Sequence, residues 1–156
     1  MLVKDRLTLA NAHFIAGRTP AQLAKLESGP LRRAVLAALP IAMRLLFDGA
    51  ATRALGGEPL AGTLELNILR PGERGSDPFE IVIRNGRCRI ARKASARASS
   101  RVTIGLADMV RMGSGAVDPG RFIAEGMTSG RIVMTGDPFL FLAVPNVFRM
   151  ANRKLI

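Results

Sequence analysis

The stretch GSGAVDPGRFIAEGMTSGRIVMTGDPFLFLAVPNVFRM, spanning Gly113 to Met150, sets out an order of elements from which the rest of the chain can be read. It holds two Asp-Pro pairs, Asp118-Pro119 and Asp137-Pro138, each ahead of an apolar run. Asp is a favoured N-cap, and Pro suits the first helical position, where its missing N–H costs no bond. A helix is therefore expected after each pair. Between them GRIVMTG, Gly130 to Gly136, is a β-branched run fenced by glycines and reads as a strand with Ile132 and Met134 facing inward. The second helix carries Phe139, Leu140, Phe141, Leu142 and Val144 and is apolar nearly all round, so it requires burial.

Upstream, the period of the apolar residues is two. Leu64, Leu66 and Ile68 alternate with Thr63, Glu65 and Asn67, and Phe79, Ile81 and Ile83 alternate with Glu80 and Arg84. Asn85-Gly86 is a two-residue hairpin signal leading into a strand with Cys88 and Ile90 inward and Arg87 and Arg89 outward. Val102, Ile104 and Leu106 mark a fourth strand, and Met109, Val110 and Met112 a short helix after it. Five half-buried strands with one apolar face make a single sheet that helices must cover. The loop Pro71 to Asp77 reads as an exposed hairpin connection, and Ala91 to Ser100 as a polar connector.

The first third is helical in pattern. Thr19-Pro20 opens a helix with Leu23 and Leu26 on one face, and Gly29-Pro30 opens a longer one to about Leu55. Arg33, Pro40 and Arg44 fall near one polar line, so Pro40 should kink this helix rather than break it. Val35, Leu39, Ala42, Met43 and Leu46 form the opposite, apolar stripe. Gly56-Gly57 ends the helical region. The expected fold class is α+β, a five-stranded, mostly antiparallel sheet with helices packed on one face and extra N-terminal helices. Residues 1–58 form an N-terminal helical segment packed on a domain of residues 59–156, the two making one structural unit.

These residues resemble the sterol carrier protein-2 (SCP-2) type lipid-binding domain. The family pattern has a Gly, a Pro four residues on, a Phe in a short helix, a Gly, then a strand closing in Gly-Asp or Gly-Asn. Gly115, Pro119, Phe122, Gly126 and Gly136-Asp137 fill those places, and the likeness extends over residues 60–150. One departure is an insertion of Met127 to Gly130 between the second Gly and the strand, which lengthens the helix or reshapes the entrance to the ligand site. The resemblance implies strand order 3-2-1-4-5 and an apolar tunnel between sheet and helices that binds sterols, fatty acyl chains or other lipids. Candidate lipid-binding residues are Leu64, Leu66, Ile81 and Ile104 of the sheet, Met109 and Met112, Phe122, Ile123 and Met127, and Phe139, Leu140, Phe141 and Val144 of the last helix. Met and Phe at helical spacing are more often packing than ligand contacts. A methionine-rich wall nevertheless suits ligands of variable shape.

Composition narrows the chemistry. The chain has 156 residues, enough for one domain with a proper core. One cysteine, Cys88, excludes an intramolecular disulfide, and one histidine, His13, cannot make a metal site alone. There is no phosphate loop, dinucleotide fingerprint, nucleophile elbow, zinc spacing or paired carboxylate for acid–base work. The expectation is a non-enzymatic protein without metal or cofactor. The formal net charge is +11, and Arg84 to Arg101 holds six arginines and Lys93 with no acid. Such a field attracts anionic surfaces, against the plainer reading of a solvated face. Arg87, Arg89 and Arg92 are the candidate membrane-docking residues, for a transient contact with anionic membrane. The rival, a nucleic-acid-binding module, is disfavoured because the run holds no aromatic to stack a base. A third reading is a lipid-presenting accessory subunit of a lipid-modifying enzyme. No run is long enough to span a bilayer and MLVKDRLTLANAHF lacks the apolar core of a secretory signal, so the expected location is the cytoplasm.

Overall fold

The computed structural model describes residue 22 and residues 25–27, 29–47, 61–72, 75–85, 87–113 and 117–137. In chain order these form a 3-10 turn Lys25–Glu27, helix α1 Gly29–Phe47, strands β1 Gly62–Leu69, β2 Ser76–Arg84, β3 Arg87–Ala91 and β4 Ser100–Ile104, helices α2 Leu106–Gly113 and α3 Pro119–Thr128, and strand β5 Val133–Gly136. The expected last helix, with Phe139, Leu140, Phe141 and Val144, lies outside the described residues, as does most of residues 1–28.

Hairpins join β1 to β2 and β2 to β3. The chain then returns across the sheet to lay β4 parallel to β1, and β5 pairs antiparallel with β4. The resulting order, β3-β2-β1-β4-β5, is the one the family resemblance implied. Asn85 supplies the left-handed residue of the second hairpin at φ 51°. The register places Leu64 opposite Ile81, Leu66 opposite Phe79, Ile83 opposite Cys88 and Ile68 beside Ile104, so one face is apolar over most of its length.

The helices cover that face. Leu36, Leu39 and Met43 of α1, Leu106, Met109 and Met112 of α2, and Phe122 and Ile123 of α3 share one buried cluster with the inward strand residues. α1 runs through Pro40 unbroken, as its polar position allows. Its buried line is Arg32, Leu36, Leu39 and Met43 rather than the stripe beginning at Val35, which is only half-buried. The side chains of Ala42 and Leu46 lie outside the described residues. Asp118 caps α3 as its sequence predicts, accepting the Arg121 N–H at 3.0 Å with Pro119 at the first helical position.

The fifth strand is shorter than GRIVMTG suggested. Met127 and Thr128 complete the last turn of α3, and Gly130, at φ 75°, reverses the chain after it. The Gly130 N–H bonds to the Met127 carbonyl, and the Ile132 N–H to that of Gly126. The inserted residues are thus spent on lengthening the helix and stopping it.

Candidate functional site

The inner face of the sheet brings most of the candidate ligand residues into one place. Leu64, Leu66, Ile81, Ile104, Met109, Met112, Phe122 and Ile123 are all buried and belong to the same cluster. Met127 is set apart from them, 48 % exposed on the last turn of α3. Phe122 is wedged rather than open: the guanidiniums of Arg111 and Arg131 lie 5.5 and 5.6 Å from its ring centroid. Arg131 also faces Asp108 at 3.8 Å, which ties the start of β5 back to α2. Each cation over the ring adds about 0.5–1 kcal/mol at a partly exposed site.

At one end of this face the apolar pattern gives way to charge. Asp77 pairs across the ladder with Ile68 and so occupies an inward position two residues before Phe79. Its carboxylate accepts from Arg32 Nη2 at 2.9 Å and Arg70 Nη2 at 3.1 Å, and Arg92 Nη2 stands 3.6 Å away. Burial pushes the Asp77 carboxyl up, but the hydrogen bonds and charges of Arg70 and Arg32 outweigh it and hold the group below the ordinary carboxylate range. Glu27, from the 3-10 turn, accepts the Ala107 N–H at 2.9 Å and caps α2 from a distant part of the chain. A cavity of about 510 Å³ opens here, walled by Glu27, Gly29, Arg32, Arg33, Leu36, Arg70, Pro71, Asp77 and Arg92.

The candidate docking arginines do not stay together. Arg87 and Arg89 point to the outer face, Arg87 directly opposite Arg84 and Arg89 opposite Val82. They line a broad depression of about 930 Å³ with Arg44, Arg84, Lys93 and Arg97, and Glu80 is the one carboxylate among the described lining residues. A hydrogen bond from Ser95 and the charges of Lys93 and Arg97 keep Glu80 below the ordinary range. Arg92 instead turns to the inner end of the sheet, to Asp77 and to the Phe79 ring 5.9 Å from its guanidinium. The parity of β3 carries this difference, because Arg92 continues the inward line of Cys88 and Ile90.

Sequence reasoning missed Arg32, Arg70 and Asp77. A usable signal existed: Arg32 lies four, seven and eleven residues before Leu36, Leu39 and Met43 and so shares their face. Likewise Asp77 keeps the odd-numbered parity of Phe79, Ile81 and Ile83. Among the described residues no group of His, Cys, Asp and Glu is placed to hold a metal ion. No described helix is long and apolar enough to cross a membrane.

At the level of sequence, no protein-family model and no curated protein matches the chain. Solved structures do. A ubiquinone synthesis protein, UbiJ-SCP2, superposes with a TM-score of 0.56 at 14 % identity, covering 78 % of this chain and 99 % of its own. Sterol carrier protein-2 like-3 from Aedes aegypti gives 0.52 at 15 % identity over 76 % of this chain and 97 % of its own. The like-2 protein from the same mosquito gives 0.50 at 16 % identity over 78 % and 97 %. The chain therefore has the SCP-2-like fold.

Proposed function

We propose that this protein binds a hydrophobic ligand, a sterol, fatty acyl chain or other lipid, in the apolar space between sheet and helices, and carries or presents it without catalysing a reaction on it. The observation that carries this reading is the inner face itself. In an SCP-2-like fold it gathers Leu64, Leu66, Ile81, Ile104, Met109 and Met112 beneath the helices. The methionines add side chains that repack around ligands of different outline. Enclosing some 300 Å² of acyl or ring surface is worth roughly 7 kcal/mol at about 25 cal/mol per Å². Lost ligand freedom offsets several kcal/mol of that, leaving micromolar affinity.

Arg87 and Arg89, with Arg84 beside them, are the docking surface for anionic membrane in this reading. A cross-strand pair of like charges such as Arg84 and Arg87 lowers stability on its own. Its presence on an open sheet face makes sense where an external anion neutralises it. A second reading, presentation of the lipid to a modifying enzyme, accords with the same fold serving in a ubiquinone synthesis protein. In both readings the location we propose is the cytoplasm. The test is native mass spectrometry of the freshly purified full chain, followed by organic extraction. Co-purifying lipid at a defined stoichiometry is the expected result. A homogeneous lipid-free mass that also takes up no added fatty acid or sterol would sink the proposal.

A further inference from the structure

Arg32 is too deeply placed for a solvated cation. It stands in the first turn of α1 and is only 8 % exposed. A guanidinium stays charged throughout the range in which proteins fold and presents five donors in a rigid fork. Burial therefore requires oxygen partners on each side of that fork. Nη2 has one, Asp77. Nη1 is buried and makes no hydrogen bond among the described residues, and the counter-charge nearest to it among them, Glu27 Oε2, is 3.8 Å away, beyond bonding distance.

The carboxylates nearby are already spent. Glu27 gives its other oxygen to the Ala107 amide, and Asp77 is shared among Arg32, Arg70 and Arg92. Among the described residues of the adjoining cavity's wall, four arginines stand with these two acids. The positive end of the α1 dipole adds to the excess. At about 510 Å³ the space is larger than a bare ion needs and falls within the range of small-molecule pockets.

We propose that this cavity is an oxyanion site, taking a carboxylate or phosphate group that Arg92 meets on the cavity wall and that completes the hydrogen bonding of Arg32 Nη1 once the buried guanidinium turns toward it. Guanidinium binds both groups through paired N–H donors, which gives charge-assisted strength and a fixed orientation. Such an anion can come from the head of an amphipathic ligand whose chain parts the buried apolar cluster at Leu36, or from free phosphate in solution. Only the first source draws on the lipid-carrier reading; the site itself follows from the arginine cluster.

Calorimetric titration of the delipidated full chain with dodecanoate, dodecanol and inorganic phosphate tests it. A lipid head predicts dodecanoate binding about tenfold or more tighter than dodecanol, with phosphate competing only weakly. Free phosphate as the natural anion predicts saturable phosphate binding with no preference between dodecanoate and dodecanol. In either case Arg92→Gln, at a side chain 54 % exposed, abolishes the anion-dependent part. Arg32→Gln does the same where the variant folds. The control Arg121→Gln removes an equal charge from an exposed residue of α3 and leaves the affinities unchanged. The proposal is overturned if the wild type shows neither phosphate binding nor preference for dodecanoate, if Arg92→Gln retains them, or if Arg121→Gln loses them equally. Phosphate binding without any dodecanol or dodecanoate uptake would keep the oxyanion site and remove the lipid reading.

Discussion

Glu65 shows how a single charged residue on the polar face of the sheet comes to be structural. It is 8 % exposed, because the connector between β3 and β4 folds over it. The Ser95 N–H donates to its carboxylate at 2.7 Å, Asn67 Nδ2 donates at 2.9 Å, and Arg101 Nε stands 3.6 Å away. Burial pushes its carboxyl up, but Asn67, Ser95 and Arg101 together outweigh burial and hold the group below the ordinary glutamate value. A depressed folded-state value means stability that is present above the unfolded-state pKa and lost as pH falls through the folded one. Glu65→Gln should therefore cost about 1.5–3 kcal/mol at neutral pH, the usual worth of buried hydrogen bonds to a charged group. The gap between variant and wild type should close on acidification below the ordinary carboxylate range, as urea unfolding at a series of pH values would reveal. A gap that stays constant would mean that packing of the connector, not the charge, is what Glu65 contributes. A second test at this scale concerns Arg87. Replacing it by Glu opposite Arg84 converts a repulsive pair into an attractive one, and the free energy of unfolding should rise by about a few tenths of a kcal/mol or more. A fall would show that Arg87 holds a stabilising contact of its own.

At the scale of elements, the packing of α3 against Ile132, the residue that leads into β5, is tightly constrained. A Cβ on Gly126 would meet Ile132 Cδ1 at 2.5 Å and Cγ1 at 2.6 Å. Alanine within a helix ordinarily gains about 1 kcal/mol over glycine. Here overpacking against Ile132 reverses the sign, and Gly126→Ala should destabilise by about 1–3 kcal/mol. Ile132→Ala alone should cost about 2–5 kcal/mol through the cavity it leaves. Because each change makes room for the other, the double variant should be more stable than the sum of the two by about 1 kcal/mol or more. Additive losses in chemical denaturation would place the strain elsewhere. This contact also marks where the sequence was legible. Alternation fixed the sheet strands and their inward residues, since a one-residue slip would expose every Leu and Ile of a strand. Asp118-Pro119 announced α3 through local capping chemistry alone. The start of β5 was not legible, because the helix stop at Gly130 depends on where α3 runs out of turns. For Arg32 the sequence shows only that it shares the apolar face of α1; that it is buried there depends on its partner Asp77, 45 residues away. Phe139 to Val144, read as the last helix, fall outside the described residues.

At the scale of the whole molecule, the net charge is +11, and the described residues hold two basic clusters with different prospects. The sequence presents Arg87, Arg89 and Arg92 as one patch, but strand parity divides them. Arg87 and Arg89 face outward among Arg84, Lys93 and Arg97, whereas Arg92 joins the inner cluster around Asp77. Each basic side chain near an anionic bilayer contributes about 1 kcal/mol of attraction, so removing two should weaken partitioning by roughly 2 kcal/mol, or about thirtyfold. Reversing both charges should do more. We expect Arg87→Glu with Arg89→Glu to slow lipid transfer between anionic vesicles by tenfold or more, an effect that shrinks as salt screens the surface. Transfer between neutral vesicles and the affinity for a soluble ligand should be unaltered. Arg92→Glu should give the opposite profile, with docking nearly intact and the preference for an anionic head group lost. Stopped-flow transfer of a fluorescent fatty acid, run in parallel with its equilibrium binding, separates the two. If Arg92→Glu slows transfer from anionic vesicles as much as the outer pair does, the three arginines act as one surface after all, and the division drawn from strand parity has no functional counterpart.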